Sequence, residues 1–426
     1  MLSMAVVLLV LLLIGTPVAF AMALAGLWGL EVQGVPWSVL VNRMAAGPDN
    51  FVLLAIPFFM MAGELMNRSG MTEQLVRLAT ATIGRARGGL GHANVLASIL
   101  FAGKSGTAVG DVAALGSIFV PAMEKEGYHR RFAAAVTAAS SLIGPVVPPS
   151  IILVIYGSVA GVSIGGLFAA GILPGLILAL SCFVIVWLMS HRRGYPKRDH
   201  RIPPLEYLKI VGHAIPALLM PVILLGGIFS GVFTATEAAA VAVAYAFLVA
   251  FVYYRKLRLR DLPEIFLIAG IRSAVVLMII AAAAVLGWLF STMGVPRMIT
   301  NVLLGMVGDP TLAMLVVIGM LLLVGTILEP GAAVILLAPI LAPALHQMGF
   351  EPFQVGIILV MTLNIGLCTP PVGAVLFTAQ SVSGERLESI LKDIWPFLLA
   401  QVVVVIILIF VPEAVTWLPS ALGFRS

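Results

Sequence analysis

The chain has 426 residues, of which 61% are hydrophobic and only 10% charged, against about 25% charged in an ordinary soluble domain. That balance excludes a soluble globular fold, because no core of ordinary size hides so much apolar surface. The net charge of +5 does not point to nucleic acid, since the basic residues fall in short loops between apolar runs, where membrane orientation accounts for them.

The first run, Met4 to Leu30, lacks a basic leader and a small-residue cleavage site and exceeds the about 7–15 apolar residues of a signal-peptide core. It predicts a retained helix that crosses outward. Asn50 to Met66 then runs inward, Phe132 to Ala160 outward, Ile164 to Ser190 inward, Leu205 to Phe229 outward, and Val232 to Tyr254 inward. Leu262 to Met293 runs outward, Phe353 to Ser383 inward and Trp395 to Val411 outward. Most of these runs approach the roughly 20 residues a spanning helix needs.

The direction of each crossing comes from the basic clusters. Arg77, Arg85 and Arg87; Lys125, Arg130 and Arg131; Arg192 to Arg201; Arg255 to Arg260; and Arg386 with Lys392 mark cytoplasmic loops. The connections around 161–165, 230–231, 294–310 and 346–352 are almost without Lys or Arg and mark the periplasm. The pattern closes with a cytoplasmic N-terminus and a periplasmic C-terminus. Two glycine-rich stretches remain, Gly91 to Met123 and Pro310 to Leu345. Each must return to the side it left, so both read as re-entrant hairpins lining protein or a water-filled cavity. Cys182 and Cys368 lie inside apolar segments and read as buried small hydrophobes rather than a disulfide.

The chain also matches itself. At an offset of 222, Gly103, Pro121, Ala122, Gly127, Gly144, Pro148 and Pro149 meet Gly325, Pro343, Ala344, Gly349, Gly366, Pro370 and Pro371. With a two-residue slip, Gly63 and Gly70 meet Gly287 and Gly294. Lys125, Arg130 and Arg131 follow the first hairpin, whereas Gln347 to Phe353 has no Lys or Arg, so the copies are inverted. The predicted fold is an all-α polytopic membrane protein, an inverted repeat with two re-entrant helical hairpins and two Pro-Pro-broken transmembrane helices. Residues 1–70 are scaffold, 71–163 the first repeat, 164–296 scaffold helices and link, 297–384 the second repeat, and 385–426 a C-terminal helix. Interrupted helices at matching positions mark a secondary transporter with its site near the midplane.

At the breaks, Pro148 and Pro149 offer no N–H, so the carbonyls of Gly144 and Pro145 lose their helical partners; Pro370 and Pro371 do the same to Gly366 and Leu367. Oxygens freed in a dry interior suit a hard cation such as Na⁺; the alternative is a proline kink healed by neighbouring helices. Ser105 and Thr107 at the first hairpin tip, and Gly325 and Thr326 at the second, are positioned to complete two cation shells. The helices that return from the tips aim their positive ends at the midplane, which suits an anionic substrate. Asp111 and Glu329 read either as caps and first-turn acids or as ion-site groups. Lys104, a cation at a re-entrant tip, is a candidate for a substrate carboxylate, for pairing with Asp111, or for reaching water through the cavity. Glu64 and Arg272 read as snorkelling or paired. No metalloprotease, phosphate-loop or nucleophile-elbow pattern occurs, and the six histidines have no ligand spacing, so an enzyme is not expected.

The segments IGTPVAFAMALAG, IPFFMMAGELMNRSG, FAGKSGTAVGDVAALG, GPVVPPSIILVIYG, GVFTATEAAAVAV and GLCTPPVGAVLFT resemble, in order and over essentially the whole chain, the large membrane subunit of tripartite ATP-independent periplasmic (TRAP) transporters. The resemblance implies an elevator driven by the Na⁺ gradient in the bacterial inner membrane. It implies as partners a small four-helix membrane subunit and a periplasmic substrate-binding protein that delivers carboxylate or sialic-acid-type anions. No cofactor is implied, only Na⁺ as coupling ion. One Na⁺ site would use Ser105, Gly106 and Thr107 with Gly144, Val147 and Pro149; the other would use Gly325 and Thr326 with Gly366 and Thr369. The sequence departs from the family at Lys104, where an apolar residue is usual. The small subunit is expected as a separate polypeptide. The competing reading is a stand-alone elevator symporter, and the remote one a non-transporting scaffold or enzyme.

Overall fold

The computed structural model describes residues 2–83, 86–105, 107–197, 202–370 and 372–424, with the backbone alone for residues 2, 103–105 and 306. Every regular element among them is a helix. Eight helical segments are long and apolar enough to cross a membrane. Six of them, Phe51–Ser69, Ile164–Arg192, Pro204–Phe229, Ala235–Tyr253, Leu259–Thr292 and Leu387–Phe410, fall on crossings read from the sequence. The last starts earlier than the uncharged run because it carries Lys392 and Asp393 within it.

The N-terminal run is not one crossing. It forms two helices, Leu2–Leu13 and Val18–Val32, folded against each other so that a Cβ on Gly29 would lie 2.6 Å from Met4 Sδ. The reason lies in Gly15-Thr16-Pro17. Gly15 takes φ +84°, and the amides of Gly15 and Thr16 return to the carbonyls of Leu12 and Leu11, a glycine helix stop, after which Pro17 starts the next helix. Helices of 12 and 15 residues rise about 18 and 22 Å, short of the roughly 30 Å hydrocarbon core. The expected outward crossing is thus replaced by a short antiparallel pair, and the cytoplasmic N-terminus read from it loses its basis.

Both hairpins form. Gly89–Ser105 and Ala108–Lys125 are the arms of the first, and Pro310–Ile327 and Pro330–Gln347 the arms of the second. Both Pro-Pro helices are broken: Arg130–Ser141 resumes at Ile151–Ala160, and Pro352–Gly366 at Ala374–Ser383. Each hairpin packs on the first half of its own broken helix. Its returning arm crosses over to the other copy, Ala108–Lys125 onto Ala374–Ser383 and Pro330–Gln347 onto Ile151–Ala160. Outside this unit the exchange repeats, with Val18–Val32 packed on Leu262–Thr292 and Ala235–Leu248 on Ala55–Ser69. The duplication therefore extends to the helix boundaries and their packing partners. Left-handed glycines recur at matched turns: Gly70 and Gly294, Gly127 and Gly349, Gly161 and Gly384.

Candidate functional site

A cavity of about 910 Å³ lies where both hairpin tips meet the helices Ala55–Ser69 and Leu262–Thr292. From the first tip come Thr107 and Asp111, from the second Glu329, from the second break Asn364, and from the outer helices Glu64, Asn67 and Arg272. The remaining walls are largely apolar, with Phe59, Ile152, Ile155 and Val275 among them. Both returning helices begin at this cavity, so the positive ends of two helix dipoles face one space, a setting that favours an anion.

At the first tip, Thr107 is the extended residue that precedes Ala108–Lys125, and its carbonyl accepts from the Asp111 amide at 3.2 Å. Asp111 is buried in the first turn of that helix. A Cβ on Gly144 would lie 2.5 Å from Asp111 Oδ2, so only glycine at the break lets this carboxylate approach. The chain at the break is held by Ser150, whose hydroxyl donates to the Pro145 carbonyl while its oxygen accepts from the Leu153 amide. Val147 turns its side chain onto Gly175 of Ile164–Arg192, and Pro149 is buried beside it. Gly106 lies outside the described residues, and so do the side chains of Lys104 and Ser105.

At the second tip, Gly325 and Gly366 bring two backbones into contact, a Cβ on Gly366 falling 2.6 Å from Gly325 Cα. The Thr326 carbonyl accepts from the Gly373 amide at 3.1 Å, tying tip to break. Gly373 sits at φ +58° with the carbonyls of Leu367 and Thr369 crowded against it, a position that requires glycine. The hydroxyls of Thr326 and Thr369 donate to Leu323 O at 2.8 Å and Ile365 O at 3.0 Å. Glu329 caps its helix, accepting from the Ala332 amide at 3.1 Å. That observation supports the capping reading of Glu329 and places the same carboxylate in the cavity.

The breaks do not leave every freed carbonyl bare. Pro145 is taken by Ser150, Gly366 accepts from the Thr369 amide at 2.9 Å, and Leu367 from the Val375 amide at 3.2 Å. Each oxygen keeps a second lone pair. Pro371 lies outside the described residues.

Sequence reasoning assigned Glu64 and Arg272 to snorkelling or pairing. They do pair, at 3.4 Å, and Glu64 also meets Arg68 at 3.0 Å, yet both open onto the cavity. Asn67 and Asn364 were missed. Glu64, Asn67 and Arg68 repeat at helical spacing on one face, a signal that was available. Asn364 lies with Thr362 in an otherwise apolar run, and its buried Oδ1 has no hydrogen-bond partner among the described residues. Cys182 and Cys368 are buried free thiols, as expected.

The comparisons agree with this geometry. Residues 5–414 match the family model described as "Tripartite ATP-independent periplasmic transporter, DctM component". The chain is 38% identical over 416 residues to the sialic acid TRAP transporter large permease protein SiaM of Vibrio cholerae, covering 96% of both chains. It is 37% identical over 384 residues to the C4-dicarboxylate TRAP transporter large permease protein DctM of Pseudomonas aeruginosa, covering 90% of both. The fold resembles the Alcanivorax borkumensis YdaH transporter with a TM-score of 0.64 at 14% identity, over 90% of this chain and 89% of that one. A multi-pass, helical chain that matches the family model over nearly its whole length and large permeases at this identity is a transporter subunit and not an enzyme: it belongs to the DctM family of TRAP transporter large permeases.

Proposed function

We propose that the chain imports small organic anions, carboxylates or acidic sugars, across a bacterial inner membrane by Na⁺-coupled elevator transport. The observation that carries this reading is the cavity at which both hairpin tips face the outer helices. Among the described residues it holds three carboxyl groups, from Glu64, Asp111 and Glu329, against one guanidinium, that of Arg272. An organic anion entering such a space needs cations beside it, and coupling to Na⁺ supplies them. Relatives named for sialic acid, C4-dicarboxylate and 2,3-diketo-L-gulonate transport support a carboxylate-bearing substrate. Residues 71–163 and 297–384 form the moving unit and the remaining helices the scaffold. The copies are inverted, with the cavity in the half next to the basic loops. A small four-helix subunit and a periplasmic binding protein complete the system.

The Na⁺ shells follow the pairing of tip with break. The first comprises Ser105, Gly106, Thr107, Gly144, Val147 and Pro149, and the second Gly325, Thr326, Gly366 and Thr369. The Oδ1 of Asn364, two residues before Gly366 and without a hydrogen-bond partner among the described residues, supports a cation at the second. Lys104, Asp111 and Glu329 are substrate-side groups. The test is thermal unfolding of the purified chain in NaCl against choline chloride, because an ion bound only to the folded state stabilises by mass action. Na⁺ should raise the midpoint. Thr107→Val and Thr369→Val, each deleting one hydroxyl worth about 1–3 kcal/mol if its partner is left unsatisfied, should raise the half-maximal Na⁺ concentration about five-fold or more. Indifference to Na⁺, with uptake into proteoliposomes following a proton gradient instead, would sink the ion assignment.

A further inference from the structure

A second, partly open space lies toward the other end of Leu262–Thr292, between that helix, the residues from Arg43 to Asn50, the end of Ile151–Ala160 and Pro330–Gln347. Its volume is about 530 Å³, and Arg43, Asn50, Ser158, Trp288, Ser291 and His346 supply its polar and aromatic walls. Arg272 of the first cavity and Trp288 of this one are separated by roughly 24 Å of helix rise, so the two spaces are distinct. Their chemistry differs as well. No Asp or Glu lines the second.

The Arg43 guanidinium stands 5.2 Å from the centroid of the Trp288 ring, and among the described residues it has no ion-pair partner. His346 Nε2 is buried and has no hydrogen-bond partner among them either. This end of the molecule adjoins the loops poor in Lys and Arg, so membrane orientation does not account for an arginine here. A guanidinium fixed over an indole, with an imidazole and two serine hydroxyls converging on one acid-free space, is a donor set for an organic carboxylate. The volume is that of a small-molecule site, about 300–1,000 Å³, rather than of a protein-docking surface.

We propose that this pocket is a vestibule subsite that receives a small organic carboxylate, paired with Arg43, before the anion reaches the cavity of Asp111 and Glu329. The proposal rests on the transport reading above. Arg43, Trp288 and Ser291 belong to the scaffold, whereas Ser158 and His346 belong to the moving unit. Sliding of that unit separates the donor set and releases the occupant.

The test reads the pocket's charge directly on the purified full chain, with Cys182 and Cys368 replaced by alanine and one cysteine introduced as Ser291→Cys. The probes are anionic sulfonatoethyl and cationic trimethylammonioethyl methanethiosulfonates, and Ser230→Cys is the exposed reference. The anion-over-cation rate ratio should be about ten-fold higher at 291 than at 230. Arg43→Gln should abolish the excess and Arg43→Lys restore it; equal ratios at the two positions overturn the proposal. Millimolar succinate, gluconate and N-acetylneuraminate together should slow anionic labelling when Arg43 is present and not in Arg43→Gln. An intact ratio without that slowing also overturns it, and makes the pocket a seat for an acidic side chain of a partner protein. The labelling needs neither Na⁺ nor transport, so failure of the Na⁺ reading is distinguishable from failure here.

Discussion

The loops that follow the two hairpins share a backbone and differ in everything else. In the first, Gly127 at φ +86° ends the helix while the amides of Gly127 and Tyr128 return to the carbonyls of Glu124 and Met123. In the second, Gly349 at φ +95° does the same, with the amides of Gly349 and Phe350 on His346 and Leu345. These eight residues form four pairs, each 222 positions apart. The side chains then diverge. The first loop carries an ionic clamp: Asp393, 1% exposed, takes both ends of the Arg193 guanidinium at 2.6 and 2.7 Å and lies 3.5 Å from Arg131. These hydrogen bonds hold the Arg193 guanidinium above its usual range. Arg193 also stacks over Phe132, and Tyr128 packs on Tyr195. At the matching place in the second loop Phe353 is buried against Gly166, where no Cβ fits, and Gln354 donates to the Leu408 carbonyl. What repeats is what glycine and proline dictate in the backbone. What changes is what the surrounding medium dictates in the side chains, and that contrast supports opposite faces for the two loops.

The sharpest way to break the comparison is topological. Single cysteines at Lys125 and Gln347, in a chain lacking Cys182 and Cys368, should be labelled by an impermeant reagent from opposite sides of sealed vesicles. The expected effect is all or none. Labelling from one side removes the inverted repeat and with it the assignment of the vestibule to the periplasm.

The same contrast separates what was legible from what was not. Hairpin tips, breaks and turns were readable because Gly and Pro act locally: Gly325, Gly144 and Gly366 announce the close approaches that the fold then makes. The scaffold wall of the cavity was harder, since the pairing of Glu64 with Arg272 spans 208 residues and no local pattern reports it. Arg43 over Trp288 was invisible for the same reason. The fate of the freed carbonyls depends on loop geometry at Ser150 and Val375, which no spacing rule contains. The N-terminal pair is a different case. Gly-Thr-Pro at residues 15–17 is a turn signal, overridden by the length of the apolar run around it.

Two substitutions compare the materials of the loops in energy, read as thermal unfolding of the purified chain. Phe353→Ala empties the contact with Gly166 and should cost about 3–5 kcal/mol, as large aromatic truncations in a packed core do. Asp393→Ala leaves Arg193 beside its former partner without a counter-charge. Removing one member of a buried pair costs about 3–5 kcal/mol, but the Arg193 side chain is 24% exposed, so about 2–4 kcal/mol is expected after allowing for water. A loss below about 1 kcal/mol at Asp393, in the range of a surface pair, would show that the clamp is solvated and that the two loops do not differ in the way their side chains suggest.

The smallest effect concerns Gln354. The helix Leu387–Phe410 ends with four carbonyls that have no helical donor, and Gln354 Nε2 reaches two of the last of them, Leu408 O at 2.8 Å and Ile409 O at 3.4 Å. The same device runs the other way at the first copy: Gln401 Nε2 of the C-terminal helix donates to Ala139 O at 2.9 Å, near the end of Arg130–Ser141. A neutral amide therefore caps a buried helix end on each side of the contact between the C-terminal helix and the copies, and the ionic clamp of the first loop is an addition to that arrangement rather than a replacement for it. Gln354→Met keeps length and volume and removes only the donor. It should cost about 1–2 kcal/mol, the lower part of the about 1–3 kcal/mol range for a buried group left unsatisfied, which is less than either Phe353→Ala or Asp393→Ala. Because no charge is lost, the deficit should be the same at low and high ionic strength. A loss as large as that of Asp393→Ala would mean that Gln354 positions the whole C-terminal helix. A neutral result would mean that water replaces the amide, and the carbonyls of Leu408 and Ile409 would then belong to a hydrated surface.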